Sequence, residues 1–124
     1  VDIESKPTDA ESDLLDLIRL NLVPGVGPRT SRALLARFGS AGRVLRAPEA
    51  SLRDVPGVGG KLAEKITRAV REVDAEAELA LCRQMGIIPI AQGADGYPPP
   101  LNEIPDPPSL LYVRGAIEPA DQLA

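Results

Sequence analysis

Apolar residues recur through the first two thirds of the chain at intervals of three and four, the spacing of a helix face. Leu14, Leu17, Ile18 and Leu22 form the first stripe, and Thr8 and Glu11 have capping-box spacing near its start. A second stripe, Leu34, Leu35 and Phe38, follows Pro28, where a missing N–H costs nothing, and ends at Gly39. Ser40 is placed to cap a short connecting helix through Val44 and Leu45, Pro48 closes it, and Leu52 and Val55 lead onward. A longer stripe, Leu62, Ile66, Ala69, Val70, Val73, Ala77 and Leu81, predicts one helix over about residues 61–85, ended by Gly86. Then the texture changes. Residues 87–91 are short, apolar and β-branched and read as a strand; residues 93–109 carry six prolines and read as a loop; residues 110–113 read as a second strand. Two isolated strands make no stable sheet, so they are expected to begin a larger α/β domain.

Between the helical stripes one phrase occurs twice. Val23-Pro24-Gly25-Val26-Gly27 returns as Val55-Pro56-Gly57-Val58-Gly59, 32 positions later. Each copy is followed by a base, Arg29 or Lys61, and then by a helix. A glycine turn feeding a helix N-terminus can aim backbone N–H groups at an anion. Two such turns suggest a clamp on two phosphates. The candidate donors are the amides of Gly25, Gly27, Gly57, Gly59 and Gly60; Arg29 and Lys61 add charge, with Arg32 and Lys65 one helical turn further on. Neither helix–turn–helix unit can bury its apolar stripe alone; packed about a pseudo-twofold axis, the two can.

Charge changes the picture only when divided along the chain. The net charge is −4. Residues 1–13 hold one base and five acids, residues 14–72 eleven bases and five acids, and residues 73–124 two bases and eight acids. The resulting +6 block coincides with both glycine turns, which is the electrostatic footprint that matters for a polyanion. Residues 1–11 are polar and acidic, the composition of a disordered tail. There is no histidine and there are few aromatics, so a general base and stacking platforms are both scarce. One cysteine, Cys82, excludes an internal disulfide and fits a reducing compartment; with no long apolar run and no signal-peptide pattern, a cytoplasmic, membrane-free chain is expected. The start at Val1 suggests a fragment or processed product.

The paired turns resemble the helix-hairpin-helix family in its two-hairpin form, over about residues 14–72. The resemblance implies that hairpin amides hold DNA backbone phosphates, and no cofactor beyond a monovalent cation that hairpin carbonyls sometimes hold. One departure is chemical: Pro28 has no N–H where Gly60 has one, so the second hairpin is the better-equipped site. The C-terminal run Tyr97-Pro98-Pro99-Pro100-Leu101, then Asp106-Pro107-Pro108, then Leu110-Leu111-Tyr112-Val113-Arg114-Gly115, is similar to the lead-in of the DprA (Smf) DNA-processing family. That resemblance implies a bacterial, non-catalytic recombination mediator that binds incoming single-stranded DNA in natural transformation, loads RecA and acts as a homodimer. The single-strand site of such a protein lies in a Rossmann-like core that would follow Gly115.

The expected organisation is therefore an acidic tail (1–11), an all-α tandem helix-hairpin-helix domain (12–86) and the first strands of a truncated Rossmann-like α/β domain (87–124). The alternative is a helical protein–protein or scaffold domain with no direct DNA contact, since glycine turns also serve simply to reverse a chain. An enzyme reading, such as the DNA-binding tail of a repair nuclease, would need a further catalytic domain, and the segment from Tyr97 to Gly115 argues against it. Other candidates are weaker. Asp74 and Glu78 share a helix face but, with Glu76 between them, read as a solvated acidic surface rather than an acid/base pair. Cys82 has no neighbour to activate it. The prolines pin a loop more readily than they recruit a proline-binding partner.

Overall fold

The computed structural model describes residues 9–114. Six helices precede a two-stranded sheet: α1 (Asp9–Asn21), α2 (Pro28–Phe38), α3 (Ala41–Arg46), α4 (Glu49–Arg53), α5 (Gly60–Glu72), α6 (Ala75–Gln84), β1 (Ile87–Ala91) and β2 (Leu110–Arg114). The helices α1 and α2 flank the first glycine turn, α4 and α5 flank the second, and α3 connects the two units. Thr8, half of the expected capping box, lies outside the described residues, as do the rest of the acidic stretch before Asp9 and the chain from Gly115 onward.

The core is built by the stripes that the spacing predicts, shifted in detail. Ile18, Leu20, Leu34, Val44, Leu52 and Ile66 are fully buried, and Val23, Val26, Val55 and Val58 plug both turns into the same core. On α1 the buried positions are Leu15, Leu17, Ile18 and Leu20, while Leu14 is half-buried and Leu22 is exposed. The expected connecting helix is α3, and its cap is Ser40, whose Oγ accepts from the Arg43 amide at 3.3 Å. The short helix α4, which supplies the first arm of the second hairpin, has only five residues, too few to show a period in the sequence.

The single helix expected over residues 61–85 is two. The break falls at Val73 and Asp74, and Asp74 caps α6, its Oδ1 accepting from the Ala77 amide at 2.9 Å. Asp prefers this position because its carboxylate satisfies an otherwise orphaned donor. Arg19 secures the break from α1: its Nε donates to the Val73 carbonyl at 3.1 Å, and it pairs with Asp16 and Glu76, both at 3.3 Å. The break also resets the helical phase. The buried face of α6 is Ala75, Leu79 and Cys82 rather than Ala77 and Leu81, and Val70 on α5 is exposed.

The two strands pair antiparallel, from Ile87 opposite Arg114 to Ala91 opposite Leu110. The strand β1 packs on α6 and α1, Leu110 enters the helical core, and Ala91 packs against it. A hairpin that is marginal alone is stabilised by a helix layer. The proline-rich connection is also tied down. The Tyr97 hydroxyl donates to the Pro108 carbonyl at 2.8 Å, a 3-10 turn spans Pro99–Glu103, and the buried hydroxyls of Ser31 and Ser109 meet at 2.7 Å.

The capping role makes Asp74 a stability residue. Asp74→Ala should lower unfolding free energy by about 1 kcal/mol in chemical denaturation. An unchanged midpoint would restore the reading of Asp74 as a merely solvated acid.

Candidate nucleic-acid interface

Each turn is closed by the same hydrogen bonds. The Val23 amide donates to Leu20 and the Val26 amide to Val23; Val55 donates to Leu52 and Val58 to Val55, all between 3.0 and 3.2 Å. The following helices start alike, Ser31 donating to the Gly27 carbonyl at 2.8 Å and Ala63 to the Gly59 carbonyl at 2.9 Å. Gly25 and Gly57 hold φ of +101° and +89°, the left-handed region that disfavours any side chain.

The turns also touch across the repeat. A Cβ on Gly25 would lie 3.2 Å from Leu62 Cδ1, and a Cβ on Gly57 would lie 3.5 Å from Thr30 Oγ1. Thr30 and Leu62 are the third residues of α2 and α5. Each turn therefore rests on the opening of the other unit's helix, the reciprocal contact expected of a pseudo-twofold pair, and both helix N-termini are brought together.

Gly27 and Gly59 present a different case. Their φ values of −96° and −92° and extended ψ suit any residue. A Cβ at either position would meet nothing within 4 Å. Neither backbone strain nor packing requires glycine there. Among the described residues, no backbone carbonyl takes the amides of Gly25, Gly27, Gly57 or Gly59. The first-turn amides of α2 and α5 have no intrahelical acceptor, and neither first turn contains an acid. This is a pair of exposed, donor-rich turns whose dipoles favour an anion.

The basic candidates separate into groups. Arg29 and Lys61 are exposed at the starts of α2 and α5. Lys65 is exposed on α5 yet lines a small pocket of about 250 Å³ with Val23 and Pro24, so the second unit's helix places a cation beside the first unit's turn. Arg32 is engaged by the C-terminal segment, its Nη1 donating to the Pro105 carbonyl and lying 3.8 Å from the Asp106 carboxylate. Arg53, absent from the sequence-based candidates, ends α4 with its Cδ 4.0 Å from where a Cβ on Gly60 would stand. Its signal was weak because the matching position in the first copy is Asn21.

The geometry and the repeat agree with a known family. Residues 14–72 match the SAM-like helix-hairpin-helix tandem. The fold is thus a mainly helical tandem helix-hairpin-helix domain carrying a small antiparallel sheet, and the match supports DNA binding in general.

The chain is also similar to UvrABC system protein C from several bacteria. It is 46% identical over 52 residues to that of Dechloromonas aromatica, 55% over 47 residues to that of Ruegeria pomeroyi and 40% over 72 residues to that of Salinibacter ruber. These stretches cover 42%, 38% and 58% of this chain and only 9%, 8% and 10% of the relatives. The chain thus spans about a tenth of the length of the curated relatives it matches. No solved structure matches it.

Elsewhere among the described residues lies a larger, apolar cavity of about 780 Å³ lined by Leu14, Leu17, Leu35, Ile88 and Ile90. The described residues contain no group of three or more His, Cys, Asp or Glu side chains that could hold a metal ion, and no helix long and apolar enough to cross a membrane. Cys82 is buried and free, and burial first, then Glu78, pushes its thiol above the ordinary value. That disfavours the reactive thiolate.

The two classes of glycine should part on substitution. Gly25→Ala and Gly57→Ala should each lose about 1–2 kcal/mol of stability through the left-handed φ. Gly27→Ala and Gly59→Ala should stay within about 0.5 kcal/mol of the parent. Thermal melts of the four variants would show it, and equal losses would remove the distinction. Cys82 should label far more slowly with a thiol reagent near pH 8 than a free cysteine does; equal rates would contradict its burial.

Proposed function

We propose that this tandem is a non-catalytic, sequence-independent clamp on the nucleic-acid backbone. The amides of Gly57, Gly59, Gly60 and Lys61 form the main phosphate site, and Gly25, Gly27 and Arg29 form the second. The observation that carries this reading is the pair of open glycines, Gly27 and Gly59, which the fold does not require and which an approaching phosphate would. Lys65 and Arg53 flank the site with positive charge, and Arg32 is a further cation within the same block. Pro28 lacks the donor that Gly60 supplies, which makes the second hairpin the stronger half.

For the protein as a whole, the reading rests on the resemblance of residues 97–115 to the DprA lead-in. On it, the chain is the N-terminal part of a cytoplasmic, homodimeric recombination mediator that receives single-stranded DNA in natural transformation and loads RecA. Its sheet is the start of a Rossmann-like domain, and the hairpins give auxiliary contacts. The similarity to UvrABC system protein C favours a second reading, in which the tandem is a module shared with that protein and the parent belongs to a system of that kind. A scaffold role without DNA contact is the remaining alternative.

An amide-resolved NMR titration with short single- and double-stranded DNA at two salt concentrations tests the clamp. Shifts should centre on Gly57, Gly59, Gly60 and Lys61. Affinity should fall with salt at a log–log slope of about −0.9 per phosphate neutralised on duplex and about −0.7 on single strand. Gly59→Ala keeps its amide and stays folded, but its methyl stands in the open space that a phosphate would enter, so it should bind about tenfold more weakly, the scale of one lengthened charge-assisted hydrogen bond. Unmoved hairpin amides at both salts would leave the scaffold reading.

A further inference from the structure

We propose that Asp106 and the Pro105 carbonyl occupy, in the DNA-free protein, the place on Arg32 that a backbone phosphate takes when DNA binds, so that residues 97–109 act as an intramolecular competitor at the first hairpin. This rests on the backbone-clamp reading above and adds its regulation. Arg32 sits one helical turn into α2, on the helix whose start forms the first phosphate site. Its guanidinium donates to the Pro105 carbonyl and faces the Asp106 carboxylate at 3.8 Å. A carbonyl oxygen and a carboxylate together offer what a phosphate offers, oxygen acceptors and negative charge.

The loop is held where it can do this. Ser109 is buried against Ser31, immediately before Arg32, with their hydroxyls 2.7 Å apart, and Asn21 Nδ2 donates to the same Ser109 hydroxyl at 3.4 Å. At the far end the Tyr97 hydroxyl ties back to the Pro108 carbonyl. These anchors lie on either side of Asp106, and Pro105, Pro107 and Pro108 limit the intervening backbone. The carboxylate is thus presented to Arg32 at little further entropic cost.

The contact is also weak enough to yield. The Arg32 and Asp106 side chains are 56% and 42% exposed, and exposed ion pairs contribute little and are screened by salt. A phosphate already gripped by the hairpin amides can displace such a pair. The second copy has no equivalent: the position matching Arg32 is Glu64, which pairs with Arg68 on its own helix at 3.1 Å. The competitor therefore acts on the half already weakened by Pro28, which channels a strand toward the second hairpin first.

The test is a double-mutant cycle on the whole 124-residue chain, reading duplex and single-strand affinity and its salt slope. Asp106→Asn should tighten binding about two- to fivefold at low salt, the range that exposed ion pairs span, and steepen the salt slope by nearly one phosphate. In an Arg32→Gln background the same substitution should change nothing. Asp95→Asn, an equal change of charge elsewhere in the chain, should leave affinity at the parent value. Equal gains from Asp106→Asn and Asp95→Asn, a gain that survives Arg32→Gln, or no gain while the parent still binds through its hairpin amides would each overturn the competitor alone. A parent chain whose hairpin amides ignore DNA would overturn the clamp reading, and the competitor with it.

Discussion

Each turn rests on the other unit's helix. The Gly25 turn lies against Leu62 and the Gly57 turn against Thr30, and the rest of the molecule depends on this reciprocity. It crowds the space a side chain would need at Gly25, while at Gly57 the left-handed φ alone disfavours one. It seats Val23, Val26, Val55 and Val58 in one core. It also gathers two sets of helix N-terminal donors on one side of the fold. A single hairpin has no partner to lean on, and its valines would face water; burying them is worth roughly 1.5–3 kcal/mol for each side chain.

The repeat is symmetric in backbone and asymmetric in chemistry. Equivalent positions carry Pro28 and Gly60, Thr30 and Leu62, Arg32 and Glu64, Asn21 and Arg53. The first unit has one donor fewer and is roofed by the C-terminal segment through Ser31, Arg32 and Asn21. The second has an extra amide, a neighbouring Arg53 and no covering loop in contact with its turn among the described residues. The repeat thus supplies two similar turns with unequal sets of donors and charges.

Much of this was legible in the sequence because it is local. The glycine turns, the Pro28 start, the Ser40 cap and both strands depend on residues within one turn of one another. What was not legible depends on contacts far apart in the chain. The break at Val73 is stabilised by Arg19 on α1, 54 residues away, and a continuous apolar stripe concealed it, although Asp74 followed by Glu76 was a capping signal in plain view. The exposure of Leu81 and Val70 follows from that break and from which side of α5 meets the core. At the site, Gly25 and Gly57 hold equivalent turns and Arg29 and Lys61 are exposed at the helix starts that follow. The engagement of Arg32, the nearness of Lys65 to the first turn, and Arg53 beside Gly60 all cross between units and left no spacing to read. The proline run, meanwhile, is fastened onto itself by Tyr97 and onto the helices by Ser109.

The Ser31–Ser109 contact spans 78 residues, while the turns and their closing bonds span three or four. Contacts of short range form early, and those that close long loops form late. During synthesis, residues 14–72 precede Ser109, so the tandem can begin to assemble as a basic body before the acidic residues 73–124 are in place. Order of synthesis thereby separates a basic, locally folding body from the later segment that fastens onto Asn21, Ser31 and Arg32.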